Sequence, residues 1–191
     1  MSQAVLDRTN QDAVGFAQVR VVDAGLVVAG SLLMAACAHV SIPLWFTPVP
    51  ITLQTFGVMF LALSLGGWRA SAALVLYIVE GVSGLPVFSP HGTGNIFGPT
   101  GGYLMSYPFA ALAAGLLARN LSRLSRPLIY AISALVCEIV IFSAGGFWLM
   151  ALTRRSPAAI FTAAVLPFLP GEVLKGAAAI GAALGSRKIL Q

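Results

Sequence analysis

From Ala24 through Trp68 the chain runs 45 residues without one Asp, Glu, Lys or Arg. That length accommodates two bilayer spans of about 20 residues each with a short connection. Soluble chains carry about one charged residue in four, whereas here 9% of 191 residues are charged and 58% are hydrophobic. The fold class that follows is all-α and polytopic, because a helix satisfies its backbone hydrogen bonds internally while crossing lipid. A second uncharged run, Gly81 to Ala118, ends in another span.

Glycine, proline and charge divide the chain into six expected spans at about 22–40, 52–66, 69–83, 102–119, 127–151 and 171–187. Residues 1–21 then form an N-terminal tail, and 22–191 a single six-helix membrane domain. Met1 to Asp23 is polar and mixed in charge, with no apolar stretch ahead of a cleavage site, so the first helix is expected to act as the insertion signal and to stay. An even number of spans puts both termini on one side. Arg8, Arg20, Arg69, Arg119, Arg123, Arg126, Arg187 and Lys188 fall on that side and only Arg154 and Arg155 on the other, which makes it the cytoplasmic one. The expected setting is a bacterial inner membrane, with membrane lipid as the constant neighbour. Basic residues without an aromatic-basic cluster give no support to nucleic-acid binding.

The outer connections differ from the short, arginine-marked inner ones. Ser41 to Thr52 reads SIPLWFTPVPIT, and Gly84 to Gly102 holds three prolines and six glycines. Neither can be ordinary helix. Leu44, Trp45, Phe46, Val87, Phe88, Ile96 and Phe97 make both too apolar for plain surface turns, so re-entrant outer loops folded back over the bundle are expected.

The chemistry concentrates at Leu169-Pro170-Gly171-Glu172-Val173-Leu174-Lys175-Gly176. A charge at membrane depth costs about 2.5–3.5 kcal/mol on insertion scales, and here an acid and a base open an apolar helix three residues apart, on one face. The exposed N–H groups of a first helical turn favour the anion. Such a pair either caps the helix structurally or grips a small head group that carries both N–H and C=O. Asn95, which offers donors and an acceptor in one amide, is a third candidate; Thr52, Gln54, Tyr77 and Tyr103 could line the same mouth.

Other features narrow the function. Cys37 and Cys137 lie in apolar runs and read as small hydrophobes. His39 and His91 lack metal-ligand spacing, so neither a metal nor a cofactor is expected. Gly171 and Gly176 have the interval of a phosphate loop, but Ala177 stands where lysine is required, so any ATPase must be another subunit. Gly25 with Ala29, Ser31 with Ala35, and Gly181 with Gly185 form small-x-x-x-small pairs where a partner's helix could pack.

Four stretches then resemble one family: Thr47-Pro48-Val49-Pro50-Ile51-Thr52-Leu53-Gln54-Thr55-Phe56, Gly84-Leu85-Pro86-Val87-Phe88, Gly98-Pro99-Thr100-Gly101-Gly102-Tyr103-Leu104, and Pro167-Phe168-Leu169-Pro170-Gly171-Glu172-Val173-Leu174-Lys175. They are similar to the signatures of BioY, the biotin-specific S component of energy-coupling-factor (ECF) vitamin transporters. The resemblance implies a six-helix bundle that captures biotin outside and releases it inward when coupled to a transmembrane subunit and two ATP-binding subunits. It assigns the ureido ring of biotin to Glu172, Lys175 and Asn95, and a lid role to the loop around Pro48 and Pro50. Family members often carry aspartate where this chain has Glu172. Two rival functions stay open at this point: a stand-alone secondary carrier, proton-coupled through Glu80 or Glu138, and a membrane enzyme using Glu172 and Lys175 as acid and base.

Overall fold

A computed structural model describes residues 3–90, 95–121 and 123–189, with side chains over 20–90, 95–121 and 123–186. The elements are α1 (Gln3–His39), a two-stranded hairpin β1 (Ser41–Ile42) and β2 (Ile51–Thr52), α2 (Gln54–Leu65), α3 (Gly67–Val82), α4 (Gly101–Asn120), α5 (Arg126–Thr153), α6 (Pro157–Ala164) and α7 (Leu169–Ile189). Each expected span coincides with a helix, and α1 continues beyond its span to Gln3.

The exception is α6, which the sequence reading left as connection. Pro157 fits a first helical turn, where its missing N–H is no loss, and the Ser156 hydroxyl accepts the Ala159 N–H at 3.4 Å. Pro167 then forbids helical continuation through residue 166. The chain restarts as α7 at an angle of 56°.

Among the described residues, Arg20–His39, Gly101–Asn120 and Arg126–Thr153 are long and apolar enough to cross a bilayer, and α6 with α7 makes a fourth if taken as one broken span. Helices α2 and α3 have 12 and 16 residues. At 1.5 Å per residue they reach about 18 and 24 Å, short of the roughly 30 Å hydrocarbon core. The shortfall positions the site: α2 begins well inside the bundle, and irregular chain fills the space above it.

Helices α1, α3 and α5 run one way and α2, α4 and α7 the other, so the first turns of α2, α4 and α7 gather at one end. Over that end lies the hairpin, in which Ser41 pairs with Thr52 and Ile42 with Ile51. Residues 84–90 and 95–100 of the next connection cover the remainder. The Phe88 ring packs edge-on to Tyr77 at 5.4 Å and lies where a side chain on Gly81 would have to go. Trp148 Nε1 donates to the Gly98 carbonyl at 2.9 Å and ties the loop to α5. Below, Ala70 and Ala73 of α3 and Ala110, Ala111 and Ala114 of α4 are fully buried, and Ala73 lies against Gly30 of α1. At the opposite end Arg69 donates to Asp23 at 2.8 Å, joining α3 to α1.

Candidate binding site

Three side chains from two distant segments close a triangle beneath the covering loops. Lys175 Nζ donates to Glu172 Oε1 at 2.6 Å, Thr55 Oγ1 donates to Glu172 Oε2 at 2.5 Å, and Lys175 Nζ donates to Thr55 Oγ1 at 3.3 Å. Glu172 is 7% exposed and the Lys175 side chain 11%. A buried ion pair holds only when further hydrogen bonds satisfy its remaining lone pairs and protons. Here the Thr55 hydroxyl supplies both, donating to the acid and accepting from the base. Two of the three ammonium donors are engaged.

The triangle forms one end of a cavity with about 610 Å³ of empty space, mouth included. Phe88, Tyr103, Leu104, Tyr107, Phe142 and Phe168 make its apolar wall, and Val49 and Pro50 of the hairpin contribute the cover. Ser89, whose buried hydroxyl has no hydrogen-bond partner among the described residues, adds a polar point at the wall with Thr100.

The residues expected from sequence divide by depth. Thr52 and Gln54 line the cavity as one hydrogen-bonded unit: Thr52 Oγ1 donates to Gln54 Oε1 at 3.2 Å, and Gln54 Nε2 donates to Tyr77 OH at 2.9 Å. Tyr77 is fully buried behind Gln54 and fixes its amide without lining the cavity. Tyr103 offers a ring face, since its hydroxyl is committed to the Ala164 carbonyl at 3.1 Å. Asn95 is exposed and not among the lining residues; its Oδ1 accepts the Phe97 N–H at 2.9 Å. Pro50 is in the wall, while Pro48 lies in an outer groove with Trp45, which is 95% exposed.

Thr55, Tyr107, Phe142 and Phe168 line the cavity without having been singled out in the sequence reading. Of these Thr55 bears directly on the chemistry. Its signal was available only as membership in the Thr47–Phe56 stretch. Of the acids noted for proton coupling, Glu80 accepts from Ser31 Oγ at 3.1 Å. Glu138 on α5 has both carboxyl oxygens buried without a hydrogen-bond partner among the described residues, and Glu172 and Lys175 are its charged neighbours. On α1, Gly25 and Ala29 lie on the exposed side, whereas Ser31 is buried against α3 and Ala35 packs on the core.

An apolar bundle that holds a buried, hydrogen-bonded ion pair at the end of an aromatic-walled cavity belongs to the membrane-embedded receptors and carriers of small molecules. Within that class the family is shown by sequence: residues 9–191 match the BioY family, and the chain is a member of it. It is 34% identical over 135 residues to a probable biotin transporter BioY of Pyrococcus horikoshii, covering 70% of this chain and 77% of that one. With the biotin transporter BioY of Rhodobacter capsulatus the identity is 37% over 146 residues, covering 71% and 76%. In fold it resembles the crystal structure of an S-component for biotin from an ECF-type ABC transporter, at TM-score 0.80 and 22% identity over 90% of this chain and 93% of that chain.

Proposed function

We propose that this chain captures biotin from outside the cell and delivers it across the bacterial inner membrane as the S component of an ECF importer. The observation that carries the proposal is the Thr55–Glu172–Lys175 triangle at the end of an otherwise apolar cavity. Biotin's ureido ring presents two N–H donors and one carbonyl. A carboxylate accepts the first, an ammonium donates to the second, and the aromatic wall takes the sulfur ring and aliphatic chain. In this reading the ligand substitutes for the Lys175–Glu172 contact, so the charges never lose hydrogen-bonding partners during exchange.

The hairpin carrying Val49 and Pro50 acts as the lid, with Pro48 in the loop between its strands. Asn95 reaches the ureido group once residues 95–100 close over the mouth, giving up its turn bond to Phe97. Both termini lie in the cytoplasm, and the transmembrane and ATP-binding subunits supply the energy. The open face of α1 at Gly25 and Ala29 is one seat for the transmembrane subunit.

Calorimetry on the purified chain tests the assignment: biotin binds, and the diamine made by removing the ureido carbonyl does not. Equal affinity for the two would defeat it. Thr55→Val keeps shape and removes the hydroxyl, so biotin affinity is expected to fall about tenfold to a hundredfold, as for other hydrogen bonds to charged groups. Lid closure is followed through Trp45, whose 95% exposure should drop on binding. Its emission shifts to shorter wavelength with biotin in wild type but not in Trp45→Phe, and an unchanged spectrum in wild type argues against closure over Trp45.

Glu138 favours one competing reading, a proton-coupled carrier working alone. Labelled biotin uptake by this chain without its partners, abolished by an ionophore, would replace the importer reading with that one.

A further inference from the structure

A second hollow lies at the end away from the ion pair, and neither biotin capture nor lid closure uses it. Its empty space, mouth included, is about 1640 Å³. Asp23 of α1, the Gly66–Gly67 turn, the end of α4 and the start of α5 surround it. Three arginines, Arg69, Arg119 and Arg126, stand against the single Asp23. Arg69 is matched by Asp23 at 2.8 Å, and among the described residues neither Arg119 nor Arg126 has an ion-pair partner.

The floor is of a different character: Leu63, Leu65 and Ile129 line it, and Leu121 and Leu124 border it from the α4–α5 connection. Ser64 also lines it, and its buried hydroxyl lacks a hydrogen-bond partner among the described residues. A serine within a helix can turn its hydroxyl to the preceding-turn carbonyl; this one is left unmatched at the hollow. Two helices begin at the hollow, α3 at Gly67 and α5 at Arg126, and neither N-cap, Gly66 or Ser125, contributes a side-chain hydrogen bond. Their first-turn N–H groups add to the preference for an anion.

A basic rim over an apolar floor, at the level where flanking arginines meet the membrane surface, is complementary to an amphiphile with an anionic head. A free phosphate would use the rim and leave the floor wet. Basic pockets between transmembrane helices are recurrent seats for acidic lipid head groups. We infer that this hollow binds an anionic phospholipid, the phosphate between Arg119 and Arg126 and an acyl chain along Leu65 and Leu124. The inference is independent of the biotin assignment.

The test uses the whole chain purified in a neutral detergent, with melting temperature and native mass spectrometry as readouts. Dioleoylphosphatidylglycerol is expected to raise the melting temperature saturably, as a ligand of the native state alone must, and to be retained at one copy per chain. Dioleoylphosphatidylcholine and inorganic phosphate should do neither. Arg119→Gln with Arg126→Gln removes the phosphatidylglycerol response and leaves biotin affinity as it was. Because that double variant can lose stability for its own reasons, Arg119→Lys with Arg126→Lys serves as the second arm and keeps at least part of the response. An equal shift with phosphatidylcholine or with phosphate alone overturns the assignment. So does a phosphatidylglycerol shift that survives in the glutamine variant.

Discussion

Glu172→Ala is expected to cost this chain its biotin capture more completely than any other single substitution, and Lys175→Ala to follow close behind. Losing Lys175 removes a charged hydrogen bond worth about 1.5–3 kcal/mol, hence roughly a tenfold to 150-fold drop in affinity. Losing Glu172 does more. In the proposed pose it removes the acceptor for both ureido N–H groups, and it also breaks the buried pair, leaving Lys175 beside Thr55 with Glu138 as its remaining acidic neighbour, a change that costs the fold up to about 3–5 kcal/mol. With two charged hydrogen bonds to the ligand lost at about 1.5–3 kcal/mol each, the affinity should fall about a hundredfold or more.

A double substitution separates the two contributions. Glu172→Ala with Lys175→Ala still fails to bind biotin, yet melts higher than Glu172→Ala alone, because no buried ammonium is left without its ion-pair partner. Calorimetry and thermal melting in one detergent read both quantities. Unchanged affinity in the two single variants would remove the site from this end of α7, and a double variant less stable than either single would show that the pair stabilises the fold outright.

How far these residues could be read beforehand depended on chain distance. Glu172 and Lys175 are three positions apart, so helical periodicity alone sets them side by side, and the cost of charge in lipid marks them out. Thr55 completes their hydrogen bonding from 117 residues away. Nothing local in Gln54-Thr55-Phe56 announces that partner, because it comes from α2 and α7 packing in parallel. Tyr77 was placed at the mouth and instead lies behind Gln54, since only tertiary packing decides which side of α3 faces the cavity.

The same reasoning explains the two small-residue pairs on α1. Gly25 and Ser31 are six positions apart, and at 3.6 residues per turn that offset is about 240°, so the pairs cannot share a face. Ser31 meets Glu80 while no atom comes within 4 Å of a side chain built on Gly25. Helix α6 was hidden by the prolines around it. The eight residues of Pro157–Ala164 carry too little periodicity to distinguish a short helix from a loop.

Glycine supplies the second large effect, far from the ligand. A side chain on Gly115 would collide with the backbone N and Cα of Gly67 and come within 2.9 Å of the Gly66 carbonyl carbon; one on Gly67 would lie 2.8 Å from the Leu112 carbonyl oxygen. Here α4 crosses the α2–α3 turn backbone to backbone, and Gly66 holds a φ of 82° in that turn. Overpacking against side chains costs about 1–3 kcal/mol because they can move aside. Backbone on both sides cannot, so Gly115→Val should reach or exceed that upper bound of about 3 kcal/mol and leave little folded chain after detergent extraction. Gly181→Val is the control: with nothing within 4 Å of its position, it should extract, melt and bind biotin like wild type. Size-exclusion profiles and melting curves measure both. The difference has a functional edge, because an unfilled small-residue face on α7 serves no packing within the chain. If that face seats the transmembrane subunit, Gly181→Val lowers biotin uptake by the assembled importer while capture by the isolated chain is untouched. Normal uptake would place the docking surface elsewhere, and a folded Gly115→Val would mean that α4 and the α2–α3 turn can separate without loss of the bundle.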